Sequence, residues 1–173
     1  MRHKGKTYWR KRRDRLLKEH VKLQGKTLDV GCGWRKYGGD AVRLDINPDC
    51  HPDLVADIQG PTGLEEASFD TVLALDVLEH LRDPHRAVEE IKRLLKPGGF
   101  LYITVPFCFP RHGTEYYRFS DLALKDLLEG FEVEIIPVRK SKIWNIIWNY
   151  HPQDTLVEGY FVRARKKMTE EES

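Results

Sequence analysis

The chain has 173 residues, enough for one domain with a sizeable core and too few for two domains of ordinary size. Its longest apolar runs, such as FLYITVPFCF and IWNIIW, fall short of the roughly 18 residues that a membrane span needs, and the basic N-terminus has no apolar signal core, so the sequence predicts a cytoplasmic protein with no membrane partner. The net charge of +2 conceals an asymmetry, because residues 1–26 carry eleven Lys/Arg against Asp14 and Glu19 while the rest of the chain is acidic.

Residues 1–26 read as a basic arm or helix, either a solvated helix face or a surface for an anionic substrate such as RNA. From residue 27 strands and crossovers alternate. Short apolar runs at Leu28–Val30, Ala41–Asp45, Leu54–Asp57, Thr71–Leu75 and Phe100–Val105 are of the kind buried in a parallel sheet. Only ten residues, Gly31–Asp40, join the first two runs, and they include the pair Gly38 and Gly39. A parallel crossover usually takes a dozen or more residues, so the first crossover helix is predicted to shrink to a turn or be replaced by a loop.

In DPHRAVEEIKRLLKPGG, Asp83 caps a helix, Pro84 suits its first position, and Ala87, Val88, Ile91, Leu94 and Leu95 share one face before Pro97 and Gly98 stop it. A further helix begins at Ser120, with Ala123, Leu124, Leu127 and Leu128 facing inward and Gly130 ending it. FEVEIIPV and VEGYFVRAR alternate in polarity and predict an antiparallel pair at the sheet's end. Residues 139–155 between them are rich in Trp and Ile and read as core packing, a lid or a dimer contact. Residues 168–173 read as a disordered acidic tail. The organisation is therefore a basic segment at 1–26, one α/β domain at 27–167 and the tail.

Three cysteines, Cys32, Cys50 and Cys108, are an odd number without C-x-x-C spacing, which argues against a disulfide framework and a zinc site. Cys108 reads as a buried cysteine, and no compact His/Asp/Glu set suggests another metal. The chemistry concentrates elsewhere. TLDVGCGWRKYGGDAVRLD places a glycine turn after the first strand and an acid, Asp45, at the end of the second. Its third glycine is missing: Arg35 stands where D-x-G-x-G-x-G would put it and Lys36 where G-x-G-x-x-G would. A dinucleotide site needs the latter pattern and a second nucleotide-binding half that this length scarcely allows.

These residues, with the blocks FDTVLALDVLEHLRDP, LLKPGGFLYITVP and EYYRFS, resemble class I S-adenosylmethionine-dependent methyltransferases over roughly residues 26–138, and most of all the small-molecule-type group, methyltransferase type 11-like. The resemblance implies a Rossmann-like methyltransferase fold: a single seven-stranded, mainly parallel sheet with an antiparallel last pair. It also implies that Gly31 and Gly33 lie under the methionine half of the cofactor and that Asp29 supports the turn. Asp45, with Ile46 beside it, would hold the ribose hydroxyls, Asp57 and Ile58 the adenine, and Asp76 and Val77 would wall the adenine and the sulfur.

His80, His112 and Tyr117 are the candidate catalytic groups. Imidazole changes protonation near neutral pH and can take a proton from an acceptor, although His80 also fits a purely structural histidine. The reading is a monomer or homodimer that methylates a small molecule. RNA or protein methylation and a non-catalytic cofactor-binding module are the alternatives, the RNA reading resting on residues 1–26 and the module reading on the missing glycine.

Overall fold

The computed structural model describes residues 8–37, 39–108, 113–139 and 157–168. Strand β1 (Thr27–Val30) is buried at every position, as befits a strand with a neighbour on each side and a layer on each face. It pairs in parallel with β2 (Val42–Asp45) and with β4 (Phe69–Leu75). β3 (Leu54–Val55) adds in parallel to β2, and β5 (Leu95–Pro106) to β4. β7 (Val157–Lys166) runs antiparallel to β5 and to β6 (Phe131–Arg139). The seven-stranded order is β3-β2-β1-β4-β5-β7-β6. Strand order reverses between β1 and β4, which opens a crevice at their carboxyl ends.

Alternation along β4 sends Val72 and Ala74 to one face and Leu73 and Leu75 to the other. The first face is covered by α2 (Pro84–Leu94) and α3 (Asp121–Leu127), through Ala87, Val88, Ile91, Leu94, Leu124 and Leu127. Asp83 caps α2 by accepting from the Arg86 N–H at 3.2 Å, and Ser120 caps α3 by accepting from that of Ala123 at 3.1 Å. The chain leaves α2 at Leu94 and enters β5 at once, earlier than the Pro97–Gly98 stop read from sequence, because Lys96 precedes a proline and is disfavoured in helical conformation.

Ala123, expected to face inward, is exposed. Leu124, Leu127 and Leu128 centre the buried arc, and Ala123 lies about 90° to one side of it at ~100° per residue. Cys108 is also exposed, because β5 ends at Pro106 and the chain has already left the sheet; Cys32 and Cys50 are buried free thiols.

The opposite face is covered by α1 (Tyr8–His20). Leu16, Leu17 and the following Val21 pack on Leu73, Leu75, Tyr102 and Phe161, so this helix of the basic segment is part of the fold. α1 runs against the direction of β4. Gln24, beyond its end, donates its N–H to Thr71 Oγ1 at 3.2 Å near the start of the strand, while Arg13 reaches Asp76 at the strand's end. No residue of 31–37 or 39–40 is helical, as the short crossover predicts. The readings placed on His112, on the 139–155 segment beyond Arg139 and on the tail after Met168 lie outside the described residues.

These burials predict that Ile91→Ala lowers unfolding free energy by about 3 kcal/mol, whereas Ala123→Gln stays within about 0.5 kcal/mol of the parent; urea unfolding measures both.

Candidate active site

A turn without a helix behind it must be held by something else. Here β2 supplies the hold. Asp45 accepts the Gly33 N–H through Oδ2 at 2.8 Å and the Asn47 N–H through Oδ1 at 2.9 Å. Arg43 donates to the carbonyls of Gly33 at 2.8 Å, His51 at 2.8 Å and Cys50 at 3.2 Å, which pins the turn to the loop after β2. Gly31 has a φ of 62°, and a Cβ there would stand 2.6 Å from Val77 Cγ2. The backbone at Gly31 and the side chain at Val77 therefore press together, and only glycine meets both demands.

Asp29 lies beneath this turn. It is 2% exposed, and its Oδ2 has no hydrogen-bond partner. Burial pushes its carboxyl up to about 7, and Asp45 adds to the effect; Arg43 and a hydrogen bond from the Tyr37 N–H oppose it.

Above the turn a cavity of about 270 Å³ opens at the carboxyl edge of the sheet. Its walls include Gly31, Asp45, Ile46, Asp57, Ile58, Asp76 and Val77 of the predicted cofactor residues, together with His80. Asp29 and Gly33 do not line it; they act on it through the turn. Asp57 lies just past β3 and accepts from the Gln59 N–H at 2.9 Å and from its side-chain amide at 3.0 Å. Asp76 has a positive φ of 57°, a strained conformation of the kind that clusters at functional sites. Its Oδ1 accepts from Thr104 Oγ1 at 2.8 Å, and its Oδ2 accepts from Arg13.

A short 3-10 turn, Leu78–His80, carries the chain from Val77 towards α2. It is also the anchor of the 113–119 loop: the Glu79 carbonyl accepts from the Tyr116 N–H at 2.7 Å, and His80 Nδ1 bonds the Thr114 carbonyl at 2.6 Å. A carbonyl only accepts, so Nδ1 carries the proton and, in the neutral ring, Nε2 keeps its lone pair. The Glu79 side chain is buried, and burial, with Asp76 and Glu115 adding to it against Arg118, holds its carboxyl well above the usual carboxylate range.

Tyr117 stands apart from the cavity. Its hydroxyl donates to the Arg82 carbonyl at 3.0 Å and its ring stacks on Phe119 at 5.5 Å, the geometry of a loop anchor. His112 lies outside the described residues. Two residues not singled out from the sequence belong to the site, Arg43 and Arg13. Arg43 left a readable signal as a lone cation in a short, mostly apolar run; Arg13 was one of many in a basic run.

Comparison with known proteins bears on the fold that carries this cavity. Residues 28–103 match the family model described as "Methyltransferase domain". A ubiquinone biosynthesis O-methyltransferase of Paraburkholderia phymatum is 30% identical over 128 residues, 58% of this chain and 55% of that protein. A tRNA U34 carboxymethyltransferase of Haemophilus influenzae is 33% identical over 118 residues, 52% of this chain and 35% of that protein. The chain thus spans about half the length, or less, of the curated relatives it matches. Among solved structures, a SAM-dependent methyltransferase from Archaeoglobus fulgidus aligns with a TM-score of 0.70 at 20% identity, covering 94% of this chain and 95% of that one. The [4+2]-cyclase SpnF aligns at 0.65 and 20% identity, covering 96% and 85%. The resemblance to class I methyltransferases and the Rossmann-like sheet are borne out.

The buried acid gives a pH prediction. An unfolded aspartate ionises near pH 4, whereas Asp29 in the fold ionises at about 7. Between these values the folded state keeps a proton that the unfolded chain has released, so this group lowers stability as pH rises from ~4 to ~7, by at most about 4 kcal/mol. Asp29→Asn removes the ionisation. The difference in urea midpoint between pH 5 and pH 8 should therefore be smaller in the variant than in the parent, and equal differences would contradict the assignment.

Proposed function

We propose that the chain is an S-adenosylmethionine-dependent methyltransferase whose acceptor is a small molecule. The observation that carries this reading is the convergence of Gly31, Asp45, Asp57 and Asp76, four positions at or just past the carboxyl ends of four separate strands, on one cavity. The fit to the cofactor rests on the walls themselves. Carboxylates at Asp45 and Asp57 can accept from ribose hydroxyls and an adenine amine, Ile46 and Ile58 offer apolar faces, and the bare Gly31 backbone allows close approach. Each carboxylate oxygen has two lone pairs, so Asp45 can hold the turn and still accept from a ligand.

When bound, the cofactor supplies an electrophilic methyl on a sulfonium. The chain's own residues have less to do: orient the acceptor and, where it is a hydroxyl or amine, take its proton. His80 fits the latter role, because its Nδ1 is committed to Thr114 and its Nε2 is the basic atom. The crossover also favours this cofactor over a dinucleotide. None of its described residues is helical, so none of them offers a helix N-terminus to a pyrophosphate, and a sulfonium nucleoside needs none.

RNA is the second reading, supported by the exposed Lys11, Arg15 and Lys18 on α1 and by the tRNA-modifying relative. Labelled S-adenosylmethionine incubated with fractionated extract separates the readings. Label is expected in the small-molecule pool; label in RNA that is lost on joint replacement of Lys11, Arg15 and Lys18 by Gln would establish the second reading. That triple variant is cleaner than deleting residues 1–26, which would also remove Arg13. Failure to bind S-adenosylmethionine in a calorimetric titration would sink both. Asp45→Asn is expected to weaken cofactor binding at least tenfold. His80→Asn keeps a donor for Thr114 and removes Nε2, so kcat should fall about 10²–10⁴-fold with cofactor affinity unchanged.

A further inference from the structure

We propose that Arg13 is a positioning residue of the cofactor site, a clamp that sets the spacing of the two loops between which the nucleoside lies. The inference rests on the cofactor reading above and adds a residue that lies in neither loop and does not line the cavity. Arg13 is only 3% exposed, although it sits in the middle of the most basic helix of the chain. A guanidinium placed so deeply requires partners, and it has them on both sides. One nitrogen donates to Asp76 Oδ2, in the loop after β4. The other donates to the Tyr37 hydroxyl, in the crossover after β1, and to Asp14 at 3.0 Å. The guanidinium also lies 5.4 Å from the centre of the Tyr37 ring.

Each partner continues to the cavity floor. Asp76 lines the cavity and is fixed on its other oxygen by Thr104 at 2.8 Å. The Tyr37 N–H bonds Asp29, the acid beneath the glycine turn. Val77, next to Asp76, presses on Gly31 of that turn. The two loops thus touch through Val77 and Gly31 and are tied through Arg13, and a planar fork is suited to bridging two acceptors at a fixed separation. In a crossover of ordinary length a helix would stiffen the first loop; here none of the described residues around Tyr37 is helical, and the stiffening comes from α1 instead.

Calorimetric titration of the full chain with S-adenosylmethionine, beside thermal unfolding without ligand, tests this on Arg13→Lys, Arg13→Met and Tyr37→Phe. Arg13→Lys keeps the charge and the buried stem but cannot span both partners. It should keep a Tm close to the parent and raise Kd about tenfold. Tyr37→Phe should raise Kd several-fold at unchanged Tm. If both act through one clamp, adding Tyr37→Phe to Arg13→Met should raise Kd no further than Arg13→Met alone. Parent-like affinity in Arg13→Lys and Tyr37→Phe, or fully additive losses in the double variant, would overturn the clamp. A parent chain that binds no cofactor would overturn the site assignment and the clamp with it.

Discussion

The crossover from β1 to β2 is short, and the carboxyl edge of the sheet is organised around that shortness. A chain that must cross between parallel neighbours within ten residues, Gly31–Asp40, has no length for a packed helix. It therefore loses the internal hydrogen bonds and the buried apolar face that would have fixed its path. Side chains from outside replace them: Asp45 and Arg43 from β2 below, Arg13 from α1 above. Each makes charge-assisted hydrogen bonds, which are directional enough to define a loop that has no regular structure of its own.

This arrangement puts several ionisable groups close together under the cavity. Asp29, Asp45, Asp76 and Glu79 bring negative charge to one edge, and Arg13 and Arg43 answer it. The buried acids Asp29 and Glu79 are held above the usual carboxylate range by burial, so the edge carries less charge than its composition implies. Such crowding is a poor route to stability, because every buried charge must be desolvated. What the crowding does provide is carboxylate acceptors, Asp45 and Asp76, on the cavity wall.

Much of this was legible in the sequence, and for physical reasons. Short apolar runs in β1, β4 and β5 mark strands covered on both faces, and their alternation with helical segments points to a mainly parallel sheet. Asp83, Pro84 and Ser120 mark helix starts through local chemistry that needs no tertiary context. Gly31 and Asp45 were legible because the turn and the strand end constrain them independently. The failures are equally local. Helical spacing puts Ala123 inside and residue type puts Cys108 there, whereas the narrow arc that a seven-residue helix buries and the point where β5 ends leave both exposed. Arg13 was invisible because one buried cation among many solvated ones leaves no pattern; what distinguishes it is the arrival, 63 residues later, of Asp76. Tyr117 shows the converse: a residue type suited to catalysis whose hydroxyl is spent on a loop carbonyl.

The direction of α1 has a practical side. The helix runs from the carboxyl edge towards the opposite edge of the sheet, so its N-terminal half stands at the edge where the cavity opens. A bulky label attached to the exposed side of that half, at Lys11 for instance, would therefore sit nearer the cavity than one placed at Lys18. Reporter groups for binding measurements belong at the far end of the helix, away from the carboxyl edge.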